Sequence, residues 1–191
     1  MTRRGLSLSA ILLCSVALSG CVTAGTHATS TEATVTDGAS PSSTSSSPVR
    51  IGHDASGVVV TGSAGTKPTV VVPSSAQSVD GMQVVDLVEG SGDPVAAKAA
   101  VRAHYVGYGA MTGKQFDSSY DRGQPYDFLL SGVIRGWQLG IPGMKDGGRR
   151  LLIVPADLAY GETPPAGSGI ESGETLVFVV DLVKHKNIPG Q

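Results

Sequence analysis

The residue types that usually carry out catalysis are present in this chain, but not in the spacings that catalysis needs. The histidines, His27, His53, His104 and His185, are scattered, and no pair has the spacing of metal ligands. No serine lies in a Gly-x-Ser-x-Gly turn. No glycine-rich loop of the phosphate-binding kind is present either. The sequence therefore predicts no metal site and no cofactor.

The composition narrows the classes of protein to which this chain can belong. The 191 residues suggest one domain, or two small ones. The net charge is −2 and lysines and arginines form no dense patch, so we expect no binding to nucleic acid. With 26 glycines, many β-branched residues and few helical windows, the chain favours strands and turns. Both cysteines, Cys14 and Cys21, lie near the N-terminus, so the rest of the chain folds without a disulfide.

The N-terminus has the pattern of an export signal. Arg3-Arg4 precede an apolar stretch, residues 6–18, which is too short for a typical membrane-spanning helix. Leu18-Ser19-Gly20-Cys21 resembles the bacterial lipobox, in which the cysteine is acylated and becomes the mature N-terminus. We therefore expect a signal peptide at residues 1–20 and an extracytoplasmic protein that Cys21 anchors to the membrane. The alternative is a soluble secreted protein in which Cys21 occurs by chance.

Residues 21–66 lose the hydrophobic pattern. The stretch 40–48 is almost entirely serine, threonine and proline, and such a segment buries too little apolar area to offset the entropy of ordering its backbone. We predict a disordered Ser/Thr/Gly-rich linker here. Val58-Val59-Val60 is an apolar island that the sequence leaves open, either a strand or nothing. No heptad pattern could pair two chains, so we expect a monomer.

Residues 67–186 have the pattern of a globular domain, and 187–191 form a short tail. Short apolar runs broken by Gly and Pro predict strands. These are residues 69–72, 82–89, 99–108, 126–130, 150–154 and 175–183. One helix is predicted at 133–140, because Ile134, Trp137 and Ile141 share a face and Pro142 ends it. We expect an antiparallel sheet that curls over this helix.

A series of motifs in this domain resembles the FKBP family of peptidyl-prolyl cis/trans isomerases. The motifs, in family order, are Tyr105-Val106-Gly107, Phe116-Asp117-Ser118-Ser119, Asp121-Arg122, Pro125-Tyr126-Asp127-Phe128, Val133-Ile134-Arg135-Gly136-Trp137, Gly143-Met144, Gly147, Ile153-Val154-Pro155, Ala159-Tyr160-Gly161 and Thr175-Leu176-Val177-Phe178. The resemblance implies an α+β fold, an antiparallel β half-barrel of about five to six strands wrapped around one short helix. It also implies isomerase activity on proline-containing polypeptides and binding of the macrolides tacrolimus and rapamycin.

The resemblance further implies a role for each pocket residue. Trp137 would form the floor beneath the proline ring, and the backbone N–H of Ile134 and the hydroxyl of Tyr160 would donate hydrogen bonds to the substrate. Asp117 would lie at the rim near Tyr105, tied to Arg122. The walls would be Tyr105, Phe116, Tyr126, Phe128, Val133, Ile134, Ile170 and Phe178. Without the resemblance, most of these aromatic residues are better interpreted as core, Asp117 as a turn residue and Tyr160 as a loop residue.

Two functions fit this pattern. The first is a foldase that accelerates proline isomerisation in newly exported chains. The second is a proline-peptide binding or chaperone module with the same pocket and little turnover. The sequence also departs from the family near the site. Tyr126 replaces a more usual Phe, the link at residues 129–132 is about two residues short, and Glu171-Ser172 replace a Pro-Pro pair in the loop 162–173. We expect little change from Tyr126, because the ring is kept, whereas the short link and the altered loop should affect substrate preference and macrolide affinity.

Overall fold

The computed structural model describes residues 56–188. The predicted signal peptide, the predicted lipid anchor at Cys21, the linker as far as residue 55 and residues 189–191 of the tail lie outside the described residues. Within residues 56–188, no helix has both the length and the apolar composition needed to cross a membrane.

The described residues form eight strands, one α-helix and three 3-10 turns. The strands are β1 (Val59–Thr61), β2 (Thr69–Val71), β3 (Gln83–Val88), β4 (Ala100–Gly109), β5 (Gln115–Ser118), β6 (Tyr126–Leu129), β7 (Arg149–Val154) and β8 (Leu176–Lys186). The helix is α1 (Arg135–Gly140), and the 3-10 turns are Ser74–Ser78, Leu130–Gly132 and Ala156–Leu158. The predicted α+β fold with one short helix is confirmed.

Six strands form one antiparallel sheet. The order is β3-β7-β8-β4-β5, and β6 also pairs with β4. One edge of β4 pairs with β8 from Ala100 to Gly109. The other edge is shared, since β6 pairs with the first half of β4 and β5 with the second half. The change of partner falls between Ala103 and Val106, and Tyr105 lies in this interval.

Both faces of the sheet are covered, which is why β7 and most of β8 are buried on both sides. Leu152 and Val154 pack into a core cluster with α1, while the alternate residues Leu151 and Ile153 pack into a second cluster on the opposite face. Strand residues alternate between faces, so a strand with two buried faces has a continuous apolar run. On β8, Phe178 and Val180 belong to the first cluster, and Val177 and Val179 make the other face core as well.

The second core cluster corrects the predicted start of the domain. Val58 and Val60, assigned to the linker 21–66, are 4% and 2% exposed and pack in this cluster. Val60 lies on β1, which pairs with β2 through Val60 and Val70. The linker prediction is therefore wrong for residues 56–66. Burial of two valines outweighs the ordering cost that the surrounding Ser, Gly and Thr residues suggested.

A buried ion pair ties the same segment to the sheet. Arg149 on β7 and Asp181 on β8 are both nearly inaccessible to solvent, and Arg149 Nε donates to Asp181 Oδ1 at 2.5 Å. The Arg149 guanidinium also donates to the carbonyl oxygens of Gly62 and Thr66, at 2.9 and 2.6 Å. The backbone N–H of Gly65 donates to Asp181 Oδ2 at 2.7 Å. Because both charges are removed from water, these backbone partners stabilise the pair and fix the β1–β2 connection.

Candidate functional site

A cavity of about 330 Å³ opens between α1 and the face of the sheet that the helix covers. It is lined by Tyr105, Phe116, Asp117, Tyr126, Phe128, Gly132, Val133, Ile134, Trp137, Tyr160 and Phe178. All the predicted pocket residues except Ile170 therefore line one cavity. Ile170 instead packs against the margin of the core cluster that contains Trp137. Gly132, the last residue of the short link 129–132, also lines the cavity, although it was not among the predicted pocket residues.

Trp137 forms the base of this cavity within a cage of aromatic rings. Its side chain is buried on α1, and the rings of Tyr105 and Phe178 meet it edge-on at 5.2 and 5.3 Å between centroids. The ring of Phe128 lies tilted against it at 5.2 Å. Edge-to-face contacts are the favoured arrangement of aromatic quadrupoles, so the indole is held in a fixed orientation. The indole N–H is buried and has no acceptor among residues 56–188.

A glycine on β4 makes room for two of the walls. Phe116 on β5 and Phe178 on β8 flank β4 and meet edge-on at 5.7 Å. Gly107 pairs with both strands between them, and a Cβ atom there would lie 2.6 Å from Phe116 Cζ and 3.0 Å from Phe178 Cε1. Any larger residue at 107 would push these rings apart, so the glycine in the Tyr-Val-Gly motif is needed for the shape of the pocket.

Three polar side chains close a network at the rim. The Tyr105 hydroxyl donates to Asp117 Oδ2 at 2.5 Å, and Arg122 Nη1 donates to Asp117 Oδ1. Arg122 Nη2 also donates to the Tyr105 hydroxyl at 2.8 Å. The backbone N–H of Ser118 adds a bond to Asp117 Oδ1 at 2.7 Å. The structure thus places Asp117 at the rim beside Tyr105 and Arg122.

The network fixes the charge of its members over a wide pH range. Burial, then the hydrogen bond to Asp117, raises the pKa of Tyr105 to about 12. Burial also raises the pKa of Asp117, but hydrogen bonds from Tyr105 and Arg122 outweigh it, so the pKa of this carboxyl lies below its usual range. Near neutral pH the rim therefore holds a neutral phenol, a carboxylate and a guanidinium.

Two hydrogen-bond donors at the cavity have no partner among the described residues. The Ile134 carbonyl accepts from Trp137 and Gln138 in the first turn of α1, but the Ile134 N–H has no acceptor within residues 56–188. The Tyr160 hydroxyl is likewise unpaired in this part of the chain, and burial, then the charge of Asp117, raises its pKa. Both groups are free to donate to a bound ligand.

The lip between β6 and α1 is compact. In the link that is about two residues shorter than in the family, Leu130–Gly132 forms a 3-10 turn that leads directly into Val133 and Ile134. Leu130 is fully buried, and its N–H donates to the Ala99 carbonyl at 3.1 Å. The shortened link is thus anchored to the start of β4, and its last residue, Gly132, forms part of the cavity wall.

The chemical character of the lining residues defines the class of site. The residues from 56 to 188 contain no group of three His, Cys, Asp or Glu side chains placed to hold a metal ion. The lining is mainly aromatic and aliphatic, with donors at its edge and one carboxylate at its rim. Such a cavity suits a compact apolar ring flanked by carbonyl groups, which describes proline within a peptide.

Comparison with known proteins identifies the family. The FKBP-type peptidyl-prolyl cis-trans isomerase family matches residues 92–183. A probable FK506-binding protein of Corynebacterium glutamicum is 48% identical over 118 residues, which cover 61% of this chain and 97% of that protein. An FK506-binding protein of Streptomyces anulatus is 47% identical over 119 residues, covering 61% and 95%. The chain belongs to the FKBP-type peptidyl-prolyl cis-trans isomerases.

Solved structures agree with this assignment. A peptidyl-prolyl cis-trans isomerase from Pseudomonas syringae superposes with a TM-score of 0.51 at 32% identity, covering 58% of this chain and 80% of that one. FkpA from Escherichia coli gives a TM-score of 0.50 at 36% identity, covering 59% of this chain. The chain spans about half of FkpA, 55%.

Proposed function

We propose that the Trp137 cavity binds the proline ring of an X-Pro bond and that its lining residues carry out the isomerisation. The observation that carries this proposal is the aromatic cage. A buried indole is held by three rings at 5.2–5.3 Å at the base of a cavity, and two donors at the edge of this cavity have no partner within residues 56–188. Trp137 is the floor. The walls are Tyr105, Phe116, Tyr126, Phe128, Val133, Ile134 and Phe178, with Ile170 supporting them from the margin.

The mechanism follows from what makes the X-Pro bond slow to rotate. Amide resonance creates a barrier of about 18–20 kcal/mol and places negative charge on the carbonyl oxygen. In the twisted transition state this resonance is lost, and the carbonyl is less polar than in either planar isomer. An apolar, water-excluding cavity therefore disfavours the planar forms relative to the twisted one. Rotation requires no nucleophile and no metal.

The donors at the edge orient the substrate. We assign the Ile134 N–H and the Tyr160 hydroxyl to carbonyl groups that flank the proline ring, so that the ring stays in the cage while the preceding carbonyl rotates. Asp117 presents the one carboxylate of the cavity lining. Its ties to Tyr105 and Arg122 hold it at the rim and balance its charge.

The ligands follow from the same cavity. Proline-containing polypeptides are the proposed substrates, and tacrolimus and rapamycin are proposed inhibitors. The Corynebacterium and Streptomyces relatives are named as FK506-binding proteins, and FK506 is tacrolimus, so these relatives support the proposed inhibitors. We propose that the lip at 130–132 and the loop 162–173, which border the cavity and depart from the family, tune the affinity for these ligands.

We also propose that the protein acts outside the cytoplasm as a lipid-anchored monomer. The support is the sequence of residues 1–21, with its apolar stretch and lipobox-like ending, followed by a Ser/Thr-rich tether. Metabolic labelling with a radioactive fatty acid tests the anchor, and label should enter the wild type but not Cys21→Ser. Label in neither protein would refute the lipid anchor, and sedimentation as a dimer would refute the monomer.

The decisive test is the cis-to-trans conversion of a short X-Pro peptide, measured with and without rapamycin. The full chain, purified in detergent, should accelerate conversion, and rapamycin should block it. Asp117→Val and Phe128→Ala should lose most of this activity. Asp127→Val is a matched control, because Asp127 is an exposed aspartate beside Phe128 that pairs with Arg102 rather than with the rim. A folded chain without activity would refute the enzyme, and an Asp127→Val variant as impaired as Asp117→Val would refute the assigned site.

A further inference from the structure

Glu174, two residues before β8, is a buried carboxylate for which the proposed mechanism has no use. Its side chain is 2% exposed, and within residues 56–188 no Lys, Arg or His forms an ion pair with it. A buried charge without a counter-ion is unfavourable unless hydrogen bonds compensate for the lost water. The contacts of Glu174 therefore indicate what this charge stabilises.

The two oxygens of Glu174 hold two different loops. Oε1 accepts from the backbone N–H groups of Met111 and Thr112 at 3.0 and 3.1 Å, and from the Thr112 hydroxyl at 3.2 Å. These residues form the β4–β5 connection. Within residues 56–188, Oε2 accepts one hydrogen bond, from the N–H of Glu171 at 2.8 Å. Gly109 leaves the space for this carboxylate, because a Cβ atom there would lie 2.1 Å from Oε1.

The loop that Oε2 holds borders the Trp137 cavity. It runs over residues 161–173, directly after the lining residue Tyr160, and Ile170 packs against the core cluster beneath the cavity. The base of the loop is closed by a bond from Gly173 N–H to the Gly161 carbonyl at 3.0 Å. The link from Glu171 to Glu174 is adjacent to Ile170, so it fixes the part of the loop that packs against the core cluster.

We propose that Glu174 is a positioning residue that fixes the 161–173 loop and thereby sets how the enzyme binds the residues flanking the proline. This inference rests on the proposed use of the Trp137 cavity as the proline site. Glu174 touches neither the cavity nor the proline ring. Its loss should therefore weaken substrate binding and change substrate preference, while the turnover number stays close to that of the wild type.

The distribution of bonds makes Glu174→Gln a selective variant. A glutamine keeps one acceptor oxygen, and the arrangement that keeps three bonds places it toward Met111 and Thr112. The amide NH₂ then faces the Glu171 N–H and breaks only the link to the loop. Glu171→Pro breaks the same link from the other side, because proline has no N–H. Glu171→Gln is the matched control, since it removes an exposed charge from the same loop and keeps the donor.

The experiment measures KM and kcat of the full chain on two X-Pro peptides that differ only beside the proline. Glu174→Gln and Glu171→Pro should each raise KM roughly threefold to tenfold, as expected for one lost hydrogen bond. They should also change the preference between the peptides and leave kcat within about twofold of wild type. The double variant should show no further rise, because both changes remove one interaction. Glu171→Gln is the reference for both variants, because it changes the side chain of residue 171 and keeps the N–H that bonds to Glu174.

Two outcomes would overturn the inference. If Glu174→Gln lowers the melting temperature but leaves KM and peptide preference equal to those of Glu171→Gln, then Glu174 has only a structural role. If the effects of Glu174→Gln and Glu171→Pro on KM add up, their link does not control the site. Failure of the wild type itself to accelerate conversion would instead refute the proposed function, so the two failures are distinguishable.

Discussion

A chain that begins at residue 67 should be much less stable than one that begins at residue 56. The shorter chain lacks Val58 and Val60, which are almost fully buried against the second core cluster. It also lacks β1, the partner of β2. Finally, it lacks the carbonyl oxygen of Gly62 and the N–H of Gly65, which bond to the buried Arg149–Asp181 pair.

The loss can be estimated from burial alone. A fully buried valine contributes about 1.5–3 kcal/mol relative to an exposed one, so the two valines account for about 3–6 kcal/mol. Small domains are stable by only about 5–15 kcal/mol in total. For a domain of this size, each 1 kcal/mol shifts the melting temperature by roughly 4 °C, which predicts a decrease of roughly 12–24 °C.

Urea unfolding, followed by the fluorescence of the single tryptophan, measures this difference. In the chain that begins at residue 56, Val58→Ser with Val60→Ser should reproduce most of the loss. Val59→Ser is the matched control, because Val59 is 43% exposed and should change stability little. Coincident urea midpoints for the chains beginning at 56 and 67 would refute the assignment of residues 56–66 to the folded domain.

Three further predictions follow from the polar groups. Asp117 should remain ionised and Tyr105 neutral between about pH 5 and 9, so isomerase activity should be constant in this range; a steep change in a pH–rate profile would contradict it. The contacts of Asp117 stabilise the fold above about pH 4, and this stabilisation is lost as pH falls through the lowered pKa of Asp117. The contacts of Tyr105 stabilise the fold below about pH 10, and this stabilisation is lost as pH rises toward the Tyr105 pKa of about 12. Thermal melts at several pH values measure both losses. Asp181→Asn should reduce the free energy of unfolding by about 3 kcal/mol or more, because it leaves the Arg149 guanidinium buried without its counter-ion; a loss below about 1 kcal/mol in urea titrations would argue against this. Tyr105→Phe should lower kcat/KM about twofold to tenfold without unfolding the chain, because it removes the hydroxyl that bonds to both Asp117 and Arg122, and unchanged kinetics would show that this hydroxyl is dispensable.

The sequence was sufficient for the elements whose periodicity reflects burial. Val101, Ala103 and Tyr105 alternate along β4 and share one core cluster. The predicted helix face of Ile134, Trp137 and Ile141 meets that same cluster from α1 and its two ends. The cavity residues were predictable from the order of the family motifs rather than from chemistry. Taken one at a time, most of these aromatic residues were better interpreted as core.

The sequence was not sufficient where burial depends on distant partners. Val58 and Val60 lie among glycines, serines and threonines, and their burial depends on residues such as Val106 and Ile153, far away in the chain. Strand β5 was not predicted either, because its four residues have no clear alternation and it forms by pairing with β4. Glu174 resembles any surface glutamate in the sequence, and only the loops that converge on it reveal its burial.

The position of the cavity follows from the way β4 changes partners. On one edge of β4, β6 pairs as far as Ala103 and β5 pairs from Val106, so the two strands separate beside Tyr105. The Ser119 hydroxyl accepts from the Tyr105 N–H at 2.8 Å in this interval, where a paired strand would otherwise lie. Both strands therefore contribute to the cavity that Trp137 lines, β5 through Phe116 and Asp117 and β6 through Tyr126 and Phe128. The site thus depends on the change of strand partner along β4, and its catalytic power should follow the rigidity of the aromatic lining rather than the reactivity of any one side chain.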